Sequence, residues 1–322
     1  MQRRHLLATA TALAATAFPF IAWGQSERPL RILVGFPPGG SLDTVARALA
    51  DKMKDELKRP VLVDNKPGAG GRLAAELLKN AAPDGDTMMM APIVVPVLAP
   101  LVFSKLNYNP ATDFVPVLHT ASFHFGLAVP GDAPYKTLAE LVAWFKANPA
   151  RANYGMPAAG SLPHFFGLMI AREIGVDITP VPFQGGAPLI TALAGNQVAA
   201  GIDVLSEQME LHKAGKLRIV ATSGSQRSKA LPDVPTFREL GFANIQAQSW
   251  FGLYAPAKTP ASAISAVNAA GNKALALPDM QERFAKLSLE AGGGSAADLQ
   301  KLQDAEVARW APVVKASGFK AD

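Results

Sequence analysis

The sequence predicts an α/β protein built as two lobes, each a mixed, mostly parallel sheet flanked by helices. Three observations carry this. Short apolar strands alternate with helices along the chain. A six-residue phrase occurs twice, as Phe125-Gly-Leu-Ala-Val-Pro130 and Phe251-Gly-Leu-Tyr-Ala-Pro256. Four glycine-rich turns stand directly before helices.

The elements follow in order. Arg31–Val34 is an apolar strand that runs into Gly35-Phe-Pro-Pro-Gly-Gly40. The next segment, Thr44–Lys58, carries Val45, Leu49, Met53 and Leu57 four apart, the stripe of an amphipathic helix. Val61–Asp64 reads as a strand, and a helix runs from Arg72 to Asn80. Thr87–Ala91 is a strand after the turn Pro83-Asp-Gly85. Thr137-Leu-Ala-Glu140 is a capping box, and its helix stops at Asn148-Pro149. Ser161 opens a helix through Ile174, closed by Gly175. Ala187–Ala194 is a helix with Pro188 in its first turn. Val198–Asp203 and Leu217–Thr222 are strands, and the rest is mostly helical: 260–277, 279–287 and 296–315.

The repeated phrase is read as two strands crossing between the lobes, with coincidence as the other reading. The roughly 120 residues between its copies have the size of one domain. The expected division is 25–126 plus 252–322 for lobe 1 and 127–251 for lobe 2, with hinge strands near 125–130 and 251–256. The ligand site then lies between the lobes.

The first residues predict export. Arg3 and Arg4 precede an apolar run from Leu6 to Ala22, and Ala22-Trp23-Gly24 presents small residues at a cleavage site. Residues 1–24 read as a signal peptide cut after Gly24, leaving a periplasmic protein of 298 residues. The arginine pair does not separate Tat from Sec export. No later segment reads as a membrane span, and a soluble monomer is expected. The chain has no cysteine, which removes lipid anchors, disulfides, thiol catalysis and cysteine metal sites. Loss of Arg3 and Arg4 lowers the net charge from +5 to +3, and the remaining basic residues are scattered. Nucleic acid is therefore not an expected partner.

Strand, glycine turn and helix together aim bare N–H groups and a positive helix end at one point. The first turn reads either as a carboxylate cradle or as an ordinary β–α turn. Three further turns repeat the arrangement: Asn65-Lys-Pro-Gly-Ala-Gly-Gly71, Tyr154 to His164, and Phe183-Gln-Gly-Gly-Ala-Pro188. Tight strand–helix packing is the alternative for each. Catalysis finds little support. Gly35 to Gly40 has P-loop spacing, but Ser41 and Leu42 stand where Lys and Ser/Thr are needed. There is no dinucleotide fingerprint and no Gly-x-Ser-x-Gly elbow. The histidines lack metal-ligand spacing, so neither metal nor cofactor is expected. His164 could contact a ligand or hydrogen-bond its loop. Asp43 could serve as a base, or could satisfy N–H groups in the first helical turn.

Taken together, these segments resemble the periplasmic solute receptors of tripartite tricarboxylate transporters, the Bug-type receptors. The matching phrases are Phe36-Pro-Pro-Gly-Gly-Ser-x-Asp43, Asp64 to Gly71, Ala82-Pro-Asp-Gly85, Tyr154 to His164 and Gln184-Gly-Gly-Ala-Pro188. They continue through Ala214-Gly-Lys-Leu-Arg218, Arg227 to Thr236 and Ala255 to Pro260. The resemblance implies the two-lobed periplasmic binding fold of type II, a Venus flytrap, and no enzyme activity. It implies that the receptor closes over a small organic carboxylate and delivers it to a membrane permease; a co-receptor for a sensor kinase is the alternative. By position it places Phe36, Pro38, Gly39, Gly40, Ser41 and Asp43 at the ligand from lobe 1. From lobe 2 it places Ala158, Ala159, Gly160, Ser161, His164, Gly185, Gly186, Ala187 and Asp203. Met156 and Ala158 replace the family's commoner serine and glycine, and Leu42 replaces a small polar residue. These departures favour a monocarboxylic or aromatic acid over citrate.

Overall fold

The computed structural model describes residues 28–321. The expected signal peptide, residues 1–24, lies outside the described residues.

The opening unit forms as its pattern dictates. Strand β1 (Leu30–Val34) enters the first glycine turn, and helix α1 (Ser41–Leu57) follows. Val45, Leu49 and Met53 of the stripe are fully buried against the sheet. Strand β2 (Val61–Asn65), helix α2 (Arg72–Lys79) and strand β3 (Thr87–Pro92) complete a parallel β2-β1-β3 core. β3 then runs into a wide π-type turn, Val94–Leu98, wholly buried. Two short helices follow, α3 (Ala99–Val102) and α4 (Pro110–Asp113).

Strand β4 (Phe114–Pro130) decides the architecture. Its first part pairs with strand β9 (Gln248–Pro256), from Phe114↔Pro256 to His124↔Gln248, and β9 in turn pairs with β3. From Phe125 onward it pairs instead with strands β7 (Ala200–Val204) and β8 (Leu217–Thr222). One strand thus serves two sheets, and the changeover falls between His124 and Phe125.

The second half repeats the plan of the first. Helix α5 (Leu138–Ala147) starts with the expected capping box. Strands β5 (Asn153–Met156) and β6 (Thr179–Pro182) join β7 in a parallel β6-β5-β7 core. Helices α6 (Leu162–Ile174), α7 (Gly186–Ala194) and α8 (Leu205–Lys213) flank it. The C-terminal helices α9 (Ala261–Leu275), α10 (Pro278–Lys286) and α11 (Ala296–Ser317) return to the first half, with the short strand β10 (Leu289–Ala291) on β4. The result is the two-lobed α/β architecture expected from the sequence.

The return path differs from the expectation of a second hinge strand at 251–256. β9 lies wholly in the first half's sheet, between β3 and β4. The chain comes back through 223–247 instead, and Ser223 fastens it. The Ser223 hydroxyl accepts from the Phe125 N–H (2.9 Å) and donates to the Ala247 carbonyl (2.5 Å). Both copies of the repeated phrase are buried strands ended by proline, which explains their likeness without a shared role.

Candidate functional site

The glycine turns draw together at the seam between the halves. The first two touch within the first half: a Cβ on Gly35 would stand 2.6 Å from the Gly71 Cα. Across the seam, a Cβ on Gly185 would meet the Pro37 ring at 3.2 Å.

An inner cavity of about 90 Å³ lies between the halves. The first half contributes Phe36, Gly40, Ser41 and Asp43, with Ile93 and Val94 at the start of the π-type turn. The second contributes Ala158, Ser161, Gly186, Ala187, Asp203 and Glu207. Phe123, Phe125 and Phe251, from the strands at the changeover, complete an aromatic wall; the Phe123 and Phe251 rings meet at a tilt of 44° with centroids 4.4 Å apart. A second groove of about 350 Å³ is rimmed by residues of all four turns. Phe36, Pro37 and Pro157 line both spaces and form the partition between them.

Asp43 organises the first turn. Its carboxylate accepts from the Gly39 N–H, Arg47 and Asn65, each at 2.9 Å. Burial pushes this carboxyl up, but the hydrogen bonds from Arg47, Gly39 and Asn65 prevail and hold it below its ordinary value. Its oxygens are thereby committed to the turn, although the residue borders the cavity.

His164 also serves its loop. Its Nδ1 accepts from the Gly160 N–H at 3.1 Å, and Phe319 meets the ring edge-on with centroids 4.3 Å apart. Burial pushes the imidazole down to about 4, so it is neutral at pH 7. It does not line the cavity.

The acidic side of the cavity is built by β7 passing directly into α8. Asp203 is the penultimate residue of the strand, and Glu207 lies in the first turn of the helix. Asp203 Oδ1 accepts from the Val204 N–H at 2.8 Å, while the buried Oδ2 has no hydrogen-bond partner among the described residues. Burial, and then the neighbouring Glu207, push the Asp203 carboxyl well above its ordinary value; burial raises Glu207 too. Glu207 reaches across the seam, where its Oε1 accepts from the Ser41 N–H at 2.5 Å. The N-terminus of α1 thus faces a carboxylate of the chain itself.

The structure brings nine of the expected residues to this cavity: Phe36, Gly40, Ser41, Asp43, Ala158, Ser161, Gly186, Ala187 and Asp203. The other six lie outside its lining. Pro38 and Gly39 face solvent at the tip of the first turn, and Ala159 and Gly160 belong to the back of theirs. The Gly185 N–H is taken by the Pro157 carbonyl (2.9 Å), and His164 packs against Phe319. Met156 is buried beneath its loop and does not reach the cavity. Sequence reasoning missed Glu207 and the aromatic wall. The four-residue spacing of Asp203 and Glu207 was the available signal, since a strand turning straight into a helix keeps both carboxylates on one side.

The wall is suited to binding. Its charged members among the described residues are Asp43, Asp203 and Glu207. The buried Ser161 hydroxyl has no hydrogen-bond partner among the described residues, and the nearby His164 is engaged with Gly160. No group of His, Cys, Asp and Glu among the described residues is arranged to hold a metal ion. No helix among them is long and apolar enough to cross a membrane.

Known proteins share this arrangement. The profile described as "Tripartite tricarboxylate transporter family receptor" matches residues 45–319. The "UPF0065 protein in gbd 5'region" of Cupriavidus necator is 37% identical over 298 residues, covering 90% of each chain. Among solved structures, Rhodopseudomonas palustris Rpa4515 with adipate is 31% identical with a TM-score of 0.88, over 92% of this chain and 99% of that one. The periplasmic binding protein BugD is 30% identical, with a TM-score of 0.87 over 92% and 99%. MatC (Rpa3494) of the same Rhodopseudomonas, with bound malate, is 32% identical with a TM-score of 0.84 over 92% and 100%. These matches cover most of the two-lobed unit, and the matched family is one of receptors rather than enzymes. The chain belongs to the receptor family of the tripartite tricarboxylate transporters, the Bug-type periplasmic binding proteins.

Proposed function

We infer that this protein is an exported receptor, freed of its leader after Gly24, that captures a small organic carboxylate between its lobes and delivers it to a tripartite tricarboxylate-type permease. The observation that carries the reading is the inner cavity, walled from both halves by three of the four glycine turns. The adipate of Rpa4515 and the malate of MatC support the ligand class. The mechanism is a population shift: an open form admits the ligand, and contacts from both lobes favour the closed form. The residues around the ligand are the nine that line the cavity, Asp43 among them as the anchor of the first turn rather than as a polar contact, joined by Glu207. Their aromatic and aliphatic neighbours suit a ligand with an apolar portion better than citrate.

A thermal-shift screen of mono-, di- and aromatic carboxylates tests the reading. A cognate ligand at 100 times its Kd raises unfolding stability by about 2.7 kcal/mol. A panel in which no compound moves the melting temperature overturns it. Delivery is tested by uptake of the identified ligand in cells lacking the receptor, which must fall and be restored by the returned gene.

A further inference from the structure

The cavity is prepared for a positive charge as well as for a carboxylate. Its wall holds no lysine, arginine or histidine. Asp203 and Glu207 converge there: a Cβ on Gly186 would stand 2.7 Å from Asp203 Oδ2 and 2.9 Å from Glu207 Oε2. Buried polar atoms are normally paired, yet Asp203 Oδ2 has no partner among the described residues, and Asp203 is only 2% exposed. A ligand carboxylate set beside this pair would add negative charge where two buried carboxyls already resist ionising together, whereas a cationic group there would relieve them. The N-terminus of α1 is also no longer a free anion seat, because Glu207 occupies the Ser41 N–H. A different donor remains for a carboxylate. Ser161, 5% exposed, caps the 13-residue helix α6, and its hydroxyl has no partner among the described residues. Between these groups the wall is apolar, formed by Phe36, Ile93, Phe123, Phe125 and Phe251.

We propose that Asp203 and Glu207 form an ammonium-recognising subsite, so that the preferred ligand is an amino-carboxylate with an apolar middle rather than a dicarboxylate. This rests on the receptor reading above and narrows its ligand class. The ammonium group donates to Asp203 Oδ2 and the Glu207 carboxylate. The ligand carboxylate meets the Ser161 hydroxyl and the Leu162 N–H, since Pro163 has no N–H and the His164 N–H already donates to the Ser161 carbonyl (3.1 Å), and the methylenes lie along the phenylalanines.

Calorimetry on the mature protein with matched pairs tests it. Each pair is a diacid and the compound in which CH₂–NH₃⁺ replaces one carboxylate: succinate and 4-aminobutanoate, glutarate and 5-aminopentanoate, adipate and 6-aminohexanoate. The amino-carboxylate of the best-fitting pair binds at least about tenfold more tightly than its diacid. Glu207→Gln keeps an oxygen that accepts from Ser41 while removing the charge, so the lobes still join and the preference falls below about threefold. Asp203→Asn reduces it likewise and stands in if the first variant melts early. A diacid that binds as tightly as its partner in every pair overturns the proposal, as does a preference unchanged in both variants. Binding of other carboxylates but none of these six also overturns it and leaves the receptor reading intact. Failure of every carboxylate in the wider thermal-shift panel overturns the receptor reading itself.

Discussion

At the scale of single residues, the site depends on small groups placed against charged ones. Gly186 opens α7 in ordinary helical space, so a methyl group there costs nothing in backbone strain but meets Asp203 and Glu207 below 3.0 Å. Gly186→Ala is expected to weaken ligand binding by about tenfold, about 1.4 kcal/mol, with little change in melting temperature. Calorimetry and a thermal scan check both parts. His164 makes a pH prediction. Its imidazole takes a proton at an ordinary value near 6.5 when unfolded and at about 4 when folded. The unfolded chain therefore binds more protons as pH falls from 6.5, and the fold loses up to about 3 kcal/mol by pH 4. Above pH 6.5 the contribution is fully present. His119, His124 and His212 are shifted down as well, so the readout is the difference between wild type and His164→Asn. Urea unfolding at pH 7.5 and pH 5 should show a smaller acid loss in the variant. Residue roles were the least legible part of the sequence. Asp43 and His164 look like ligand groups because they sit in glycine turns. Their partners, Asn65 and Phe319, are set by tertiary approach, which no local spacing records.

At the scale of elements, the sequence was far more readable. The stripe on α1, the capping box of α5 and the Gly175 stop of α6 all rest on local chemistry, and the structure follows them. β4 is different. Its first stretch, with His119, Ser122 and His124 half-buried, gives way at Phe125 to six wholly buried residues, but that shift does not say which strands each stretch will pair with. The return crossing is likewise hidden, since its clip is one serine whose hydroxyl and backbone both bond two distant residues, Phe125 and Ala247. Ser223→Ala would leave the Phe125 N–H and the Ala247 carbonyl without that partner. It is expected to destabilise the protein by about 1–3 kcal/mol, measured as a lower urea midpoint with an unchanged slope. The π-type turn Val94–Leu98 was missed for a related reason: an apolar run with Pro96 at its centre reads as loop or strand until its packing is known.

At the scale of the whole molecule, function turns on how the halves meet. Phe36, Pro37 and Pro157 stand between the inner cavity and the outer groove, so a ligand that leaves by way of the groove must pass this partition. Phe36→Ala thins it and is expected to raise the ligand's dissociation rate by about tenfold while changing association much less. Stopped-flow fluorescence from the three tryptophans of the mature protein, Trp144, Trp250 and Trp310, offers the measurement. The two-lobed plan itself was visible early, because alternation and chain length constrain it strongly. What lay beyond reach was the return path; the outgoing crossing was expected near 125–130, where the halves hold β4 in common. The consequence of sharing β4 is indivisibility. Neither half can be cut out and expressed alone without stripping the other of a central strand and baring an unprotected sheet edge. Anyone grafting selectivity from one relative to another must therefore transplant the shared strand whole, and nature faces the same constraint when it recombines such genes.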